Sequence, residues 1–157
     1  MADIVSDGMT KVSWVTTISN TSAPTTTELN AGVALESFIT PDGLNIDWSI
    51  DAVDTTALSS TFGAELPGRS SASIEVTMKD QGRGSAPWST FASSPDGYLV
   101  VRRNLAASTA WTSSQTIEVY PGQAGVRRPI APAANEVSKF SVGIMPTSAP
   151  VMGSVIA

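Results

Sequence analysis

The sequence predicts a mainly β fold: two packed β-sheets, as a sandwich or barrel, with a short flanking helix and a long loop between two strands. Three observations lead there. Apolar and polar residues alternate in several short runs, the pattern of strands with one face buried. Helix signals are confined to two stretches of barely two turns, and the nineteen residues 51–69 separate two strand runs without a pattern of their own. The 157 residues 1–157 make about one domain with a single two-layer core. Hydrophobic residues at 41% against charged ones at 15% fit a β-rich protein with a weakly charged surface.

In chain order, Val12, Trp14, Thr16 and Ile18 line one side of a first strand, which SNTSAP ends. In TTTELNAG, Thr25 with Glu28 three residues on fits a capping box, and Gly32 is expected to end the helix in a left-handed conformation. So short a helix does not hold alone and must dock. TPDG, with Pro41, Asp42 and Gly43, has the chemistry of a tight turn before a strand at about 44–50. There Ile46, Trp48 and Ile50 alternate with Asp47, Ser49 and Asp51, giving one apolar and one acidic face. SASIEVTM at 71–78 alternates again and is expected to pair with it antiparallel, with Glu75 on its polar side. PWSTFA carries a second helix with Pro87 in its first turn. SPDG repeats the turn signal, YLVVRR reads as a strand buried on both faces up to its arginines, and QTIEVYPG and EVSKFSVGIM supply further strands.

Loops beyond about 12 to 15 residues are uncommon in compact domains and tend to be functional or disordered. Folded back on itself, an arm of nine or so residues reaches roughly 30 Å, against a radius of gyration of roughly 15 Å for a chain of this size. The segment 51–69 is therefore long enough to touch a neighbouring molecule. Leu58, Phe62 and Leu66, spaced by four, are costly to leave in water.

Charge sets further bounds. Net charge is −5, which argues against nucleic-acid binding through phosphate neutralisation. Residues 1–65 hold nine acids and one base, whereas 66–157 hold eight bases and five acids. Such asymmetry would help order a front-to-back assembly. Without cysteine or histidine the chain lacks disulfides, zinc–sulfur sites and the usual nucleophile–base pairs. The N-terminus MADIVSDGMTK is acidic where a signal peptide is basic, and no apolar run approaches the roughly 20 residues that span a bilayer, so synthesis in the cytoplasm and no membrane insertion are expected.

DTTALSSTFGAELPGRSS, GYLVVRR, IEVYPGQAGVRRPIAPAANEVSKF and the terminal TSAP tail, in this order, resemble the major tail tube proteins of long, flexible-tailed (siphovirus-like) bacteriophages, especially those of actinobacterial hosts. The likeness runs from about Thr10 to the C-terminus; GRGSAPW is shorter and less charged than in the family, and Gly122 and Gly125 in VYPGQAG are expected to loosen a strand. The resemblance implies a structural subunit of the virion tail, made in the host cytoplasm, and no enzyme: hexameric rings stack into a hollow tube that conducts the genome, with no cofactor and no metal. Implied partners are further copies of the chain, the tape measure protein, tail terminator and baseplate proteins, and double-stranded DNA in passage. In the family a sheet from each subunit joins a continuous inner barrel, and a long loop between inner strands contacts the next ring. By this analogy 51–69 is the inter-ring loop, with Asp54, Leu58, Phe62, Glu65 and Leu66 as contacts, and 1–10 and 147–157 are arms on neighbours.

Duplex DNA carries one negative charge per roughly 1.7 Å, so a basic lining would hold it and an acidic one lets it pass. Screening limits that repulsion to about 8 Å, the scale of a narrow tube. Asp47, Asp51 and Glu75 are the lumen candidates. Arg102, Arg103, Arg127 and Arg128 are the candidates for contacts with acids of neighbours, such as Asp54 or Glu65, each exposed pair contributing about 0 to 1 kcal/mol. Competing readings are a carboxylate-pair hydrolase or a calcium site using Asp47, Asp51 and Asp54, a monomeric Ig-like adhesion or carbohydrate-binding module, and a terminator or baseplate ring protein.

Overall fold

Along the chain the strands are β1 (Lys11–Val15), β2 (Val33–Ala34), β3 (Ile39–Asp54), β4 (Glu65–Lys79), β5 (Asp96–Arg102), β6 (Thr116–Ala124), β7 (Arg128–Pro129), β8 (Lys139–Pro146) and β9 (Val151–Val155). The helices are α1 (Thr26–Asn30) and α2 (Ala86–Thr90), the latter continued by a tight helical turn at Phe91–Ser93. This is a computed structural model describing residues 3–157; Met1 and Ala2 of the expected N-terminal arm lie outside the described residues.

The mainly β prediction holds, with one difference: the two expected sheets are one antiparallel sheet, ordered β2-β1-β5-β6-β8-β4-β3, with β9 beside β6 and β7 beside β8. Chain length forces it to curl. Laid flat, its outermost strands would stand about 29 Å apart at about 4.8 Å per spacing. Yet only residues 35–38 join β2 to β3, a reach of about 17 Å. The link stitches the two margins together: Leu35 N–H donates to Val12 O at 2.9 Å, and Lys79 N–H donates to Phe38 O at 2.8 Å.

β5 is buried on both faces, as YLVVRR predicts. Leu99 and Val101 join Trp14, Met78, Phe140 and Val142 in one core, while Val100 joins Val15, Leu29, Val119 and Ile156 in a second. The α2 segment packs on the first core through edge-on contacts, Phe91 with Trp14 and Trp88 with Phe140, each 5.4 Å between ring centres. α1 has the expected capping box. The Glu28 carboxylate accepts from Ser19 N–H and Thr25 N–H at 2.8 Å each, and Leu29 buries the helix against the second core. Gly32 has no left-handed backbone, contrary to expectation; it is needed for space, since a Cβ there would lie 2.7 Å from Val15 Cγ2 and 2.9 Å from Trp14 O. Gly122 likewise permits a close approach, 2.7 Å to Ile144 Cγ2, where β6 meets β8, so it does not merely loosen the strand.

Two loop expectations change. Pro41–Gly43 do not form a turn before the strand; they sit inside β3 as an irregularity between Ile39 and Leu44. The long loop is mostly hairpin: β3 and β4 pair as far as Ala52 with Pro67, Val53 with Leu66 and Asp54 with Glu65, leaving 55–64 as the connection. A register shift after Ile50 accommodates Gly68 and Arg69 opposite Asp51. Pro67 is tolerated because β8 pairs with β4 only from Ile74 onward, so the outer part of β4 has a partner on one side alone. The C-terminal segment, read as an arm on a neighbour, folds onto its own subunit: β9 pairs with β6, and Ile156 is buried.

Candidate assembly surfaces

The hairpin extends the core face beyond the core. Ile46, Ile74 and Ile144 are cross-strand neighbours packed in or against the first core. By two-residue alternation Trp48 and Ile50 continue that face outward, where the chain covers them only in part. Trp48 is 45% exposed and Ile50 61%. Val53 and Leu66 are exposed as a directly opposed pair, and at the tip Leu58 is fully exposed and Phe62 82% exposed. The tip is nonetheless tied: Thr55 N–H donates to Ala64 O at 2.8 Å, and Ala64 N–H to Thr56 Oγ1 at 2.9 Å.

The opposite face of the hairpin brings the three lumen candidates together by alternation: Asp47 opposite Ser73, Glu75 two residues along, and Asp51 farther out. Their charges are not equivalent. Glu75 is bound by Arg128 at 2.8 Å, whereas Asp47 and Asp51 have no ion-pair partner among the described residues. Asp54, at the neck of the tip, accepts from Thr56 N–H at 2.8 Å; hydrogen bonds from the Thr56 side chain and backbone lower its pKa below the usual carboxylate value. Asp47, Asp51 and Asp54 do not gather into a metal site: among the described residues no group of three such ligands stands close enough.

The four candidate arginines are all engaged within the subunit. Arg102 corrects its expected place at a neighbour: it is 1% exposed, and its guanidinium donates to Ala106 O at 2.8 Å, Thr109 O at 3.0 Å, Ala110 O at 3.2 Å and Gln115 Oε1 at 2.9 Å, while stacking on Trp111. It holds the 103–115 loop like a clamp, its two terminal nitrogens meeting converging carbonyl oxygens while Nε is buried without a partner. Burial lowers its pKa, and the charge of Glu36 opposes that. Arg103 binds Glu118 at 3.0 Å; the other oxygen of that carboxylate accepts from Tyr120 O–H at 2.8 Å, and burial followed by Glu118 pushes the Tyr120 pKa up. Arg127 lies over Trp88 and donates to its carbonyl. Arg128 holds Glu75.

Sequence reasoning missed the exposure of Trp48 and Ile50, because alternation identifies an apolar face and not what covers it. It also missed Glu118 and Trp88 as partners of the arginines; the strand pairing that sets Glu118 opposite Val101, next to the arginines, was the only signal available.

A family model described as phage tail tube protein matches residues 1–157. No curated protein sequence matches the chain. Among solved structures the chain is similar to a chain of an extracellular contractile injection system, in its PVC sheath/tube terminator in the extended state, with a TM-score of 0.64 at 12% identity over 97% of this chain and 98% of that one. It is also similar to a chain of the anti-feeding prophage baseplate, six-fold symmetrised, with a TM-score of 0.63 at 11% identity over 97% of each. At these identities the likeness is one of fold.

Proposed function

The chain belongs to the phage tail tube protein family, and we propose that it is the repeating subunit of the tube itself: six copies close a ring, and rings stack into a hollow conduit for the viral genome. The flexible-tailed type, the actinobacterial host and the partners beyond further copies (tape measure, terminator and baseplate proteins) follow from the sequence resemblance and belong to this proposal. The observation that carries it is the β3–β4 hairpin, whose residues Trp48, Ile50, Val53, Leu58, Phe62 and Leu66 lie exposed on a strand pair extending past its own core. Complete burial of such side chains is worth about 1.5 to 3 kcal/mol each, so the free subunit holds back assembly energy that only another copy releases.

β3 is also an outermost strand of the sheet, sixteen residues long. Such an edge presents unpaired N–H and C=O groups to another strand, which supports its use in closing the ring. The face bearing Asp47 and Asp51 would look into the lumen; Glu75 adds little there, being neutralised by Arg128. Residues 3–7 would reach a neighbour, with Ile4 and Val5 exposed.

Electron microscopy of the concentrated, purified chain tests the reading: hollow rings or tubes are expected, and compact monomers at all concentrations would contradict it. For the lumen, Asp47→Lys with Asp51→Lys should leave tubes intact and reduce genome delivery; full infectivity from that virion would refute the acidic lining. The fold likeness to terminator and baseplate assemblies supports a second reading, a ring at one end of the tube. It predicts rings that never stack.

A further inference from the structure

Asp47 and Asp51 mark only one end of the sheet face they share. Along β4 that face continues through Glu75 and Thr77 to Lys79, alternating with the buried Ile74, Val76 and Met78. On the adjoining strands Lys139 lies directly opposite Lys79, Ser141 opposite Thr77, and Arg128 opposite Ser141. The 2.8 Å bond from Arg128 Nη2 to Glu75 Oε1 fixes the arginine on this side of the sheet. The face thus carries an acidic band at Asp47 and Asp51 and, at its other end, a band of three bases on β4, β7 and β8. Lys79 is about 20 Å along the strand from Ser73, the partner of Asp47, whereas salt screens a charge within about 8 Å. The two bands act separately, and the net charge of −5 does not decide what the basic one meets.

Building on the tube reading, we propose that Lys79, Lys139 and Arg128 form a phosphate-contacting band on the inner wall, touching the backbone of duplex DNA as it passes. Like charges directly opposed destabilise a sheet, and Lys79 and Lys139 stand so. An oxyanion between them removes that cost: the Cβ atoms of such a pair are about 5 Å apart, so two ammonium groups bracket one phosphate. Lys79 has no ion-pair partner among the described residues. The acids within the band are Glu75 and Glu136, each holding one base at 2.8 Å; Asp42 adds a weaker field at Lys139, and the Asp80 carboxylate accepts from Gly82 N–H. Arg128 gives a single nitrogen to Glu75 and keeps the rest of its fork for a second phosphate. With the Arg128 side chain 62% exposed, that pair is weak enough to be shared. Phosphate contacts carry no base sequence, as a conduit for a whole genome requires. A wall basic throughout would hold the duplex, whereas a basic band bounded by Asp47 and Asp51 in every subunit gives contacts that form and release.

Amide NMR of the unassembled chain, titrated with a short synthetic DNA duplex, tests the contact. Shifts are expected at Lys79, Lys139, Arg128 and their ladder neighbours, and none at Asp47 or Asp51. Affinity should fall about ten- to fortyfold between 50 and 200 mM salt, the dependence of two or three phosphate contacts. Lys79→Gln with Lys139→Gln should weaken binding about tenfold, with urea melts to show the fold intact. Arg128→Gln, at an exposed position, should weaken it by a smaller factor and serves in place of the lysine pair should that variant not fold. No shifts at 50 mM salt, shifts spread evenly over the surface, or equal shifts from inorganic phosphate alone would overturn the contact with the duplex. The chain has no cysteine, so its inward placement is tested separately in tubes of Lys79→Cys. A small maleimide is expected to label them, and a maleimide carried on a bead too wide for the lumen is not. Labelling by the bead would put the band outside the tube, overturning both the contact with the passing genome and the inward orientation of this face, while the phosphate affinity seen by NMR would stand.

Discussion

Strand β5 and the β3–β4 hairpin draw on the same kinds of residue and meet opposite surroundings. In β5, Leu99, Val100 and Val101 are wholly enclosed, one face by each core. In the hairpin, Trp48, Ile50, Val53 and Leu66 are exposed on a ladder that pairs only within itself and shifts register after Ile50. β5 is paired on both sides by β1 and β6 and enclosed on both faces, whereas the outer hairpin has free edges and uncovered side chains. The curled body encloses its apolar side chains, and the hairpin leaves a regular apolar extension exposed, which is the surface the tube proposal uses.

The widest separation between the two regions should come from paired tryptophan substitutions. Trp14→Ala, in the body, should cost about 4 kcal/mol of unfolding free energy in urea melts of the unassembled chain. Trp48→Ala, in the hairpin, should cost less than about 1 kcal/mol there and yet lower the yield of tubes. Equal losses from the two would erase the distinction.

Adjacent arginines sharpen it next. Arg102→Ala leaves three carbonyls and the Gln115 side chain without their donor inside the body, an expected loss of about 3 kcal/mol. Arg103→Ala removes a half-exposed pair with Glu118, expected below about 1 kcal/mol. Thermal melts of the two variants side by side give the ranking.

A smaller effect belongs to the cap of α1. Hydrogen bonds from Thr25 and Ser19 lower the Glu28 pKa from 4.5 to about 2. A depressed carboxyl stabilises the folded chain fully above its unfolded value, so this contribution is complete above about pH 4.5 and disappears as pH falls through about 2. Glu28→Gln should cost about 1 kcal/mol at neutral pH, the usual worth of a cap, and the gap to wild type should close across that acid window. A gap that stays constant from pH 7 to 2 would mean the carboxylate charge is not what matters.

How much of this was legible in the sequence follows from the same contrast. Alternation in SASIEVTM, the uniform apolar run of YLVVRR and the Thr25–Glu28 capping box found β4's inner half, β5 and α1, because each is a local pattern answering to a local cause. The outer ends, 51–54 of β3 and 65–69 of β4, fall within the expected loop: Pro67, Gly68 and the Ser/Thr-rich stretch carry no strand signature, and their pairing follows by propagation from the inner register across a bulge. The single curled sheet was hidden because only the four-residue link between β2 and β3 brings the margins together. Arg102 was misplaced for a related reason. A charged residue at a strand's end looks like surface until the loop that wraps it is known. The acidic face of Asp47 and Asp51 was legible; that Arg128 would return across 53 positions to neutralise Glu75 was not.

The most direct test of the claim that the hairpin is an assembly element and not a folding element is to replace residues 55–64 with Asn-Gly, a two-residue turn suited to joining Asp54 to Glu65. The variant and the wild type are then compared by melting temperature and by electron microscopy. We predict an unchanged melting temperature for the unassembled chain, tubes from the wild type, and only separate rings or monomers from the shortened protein. Tubes of normal length from the shortened protein, or a collapse of its melting temperature, would contradict the account.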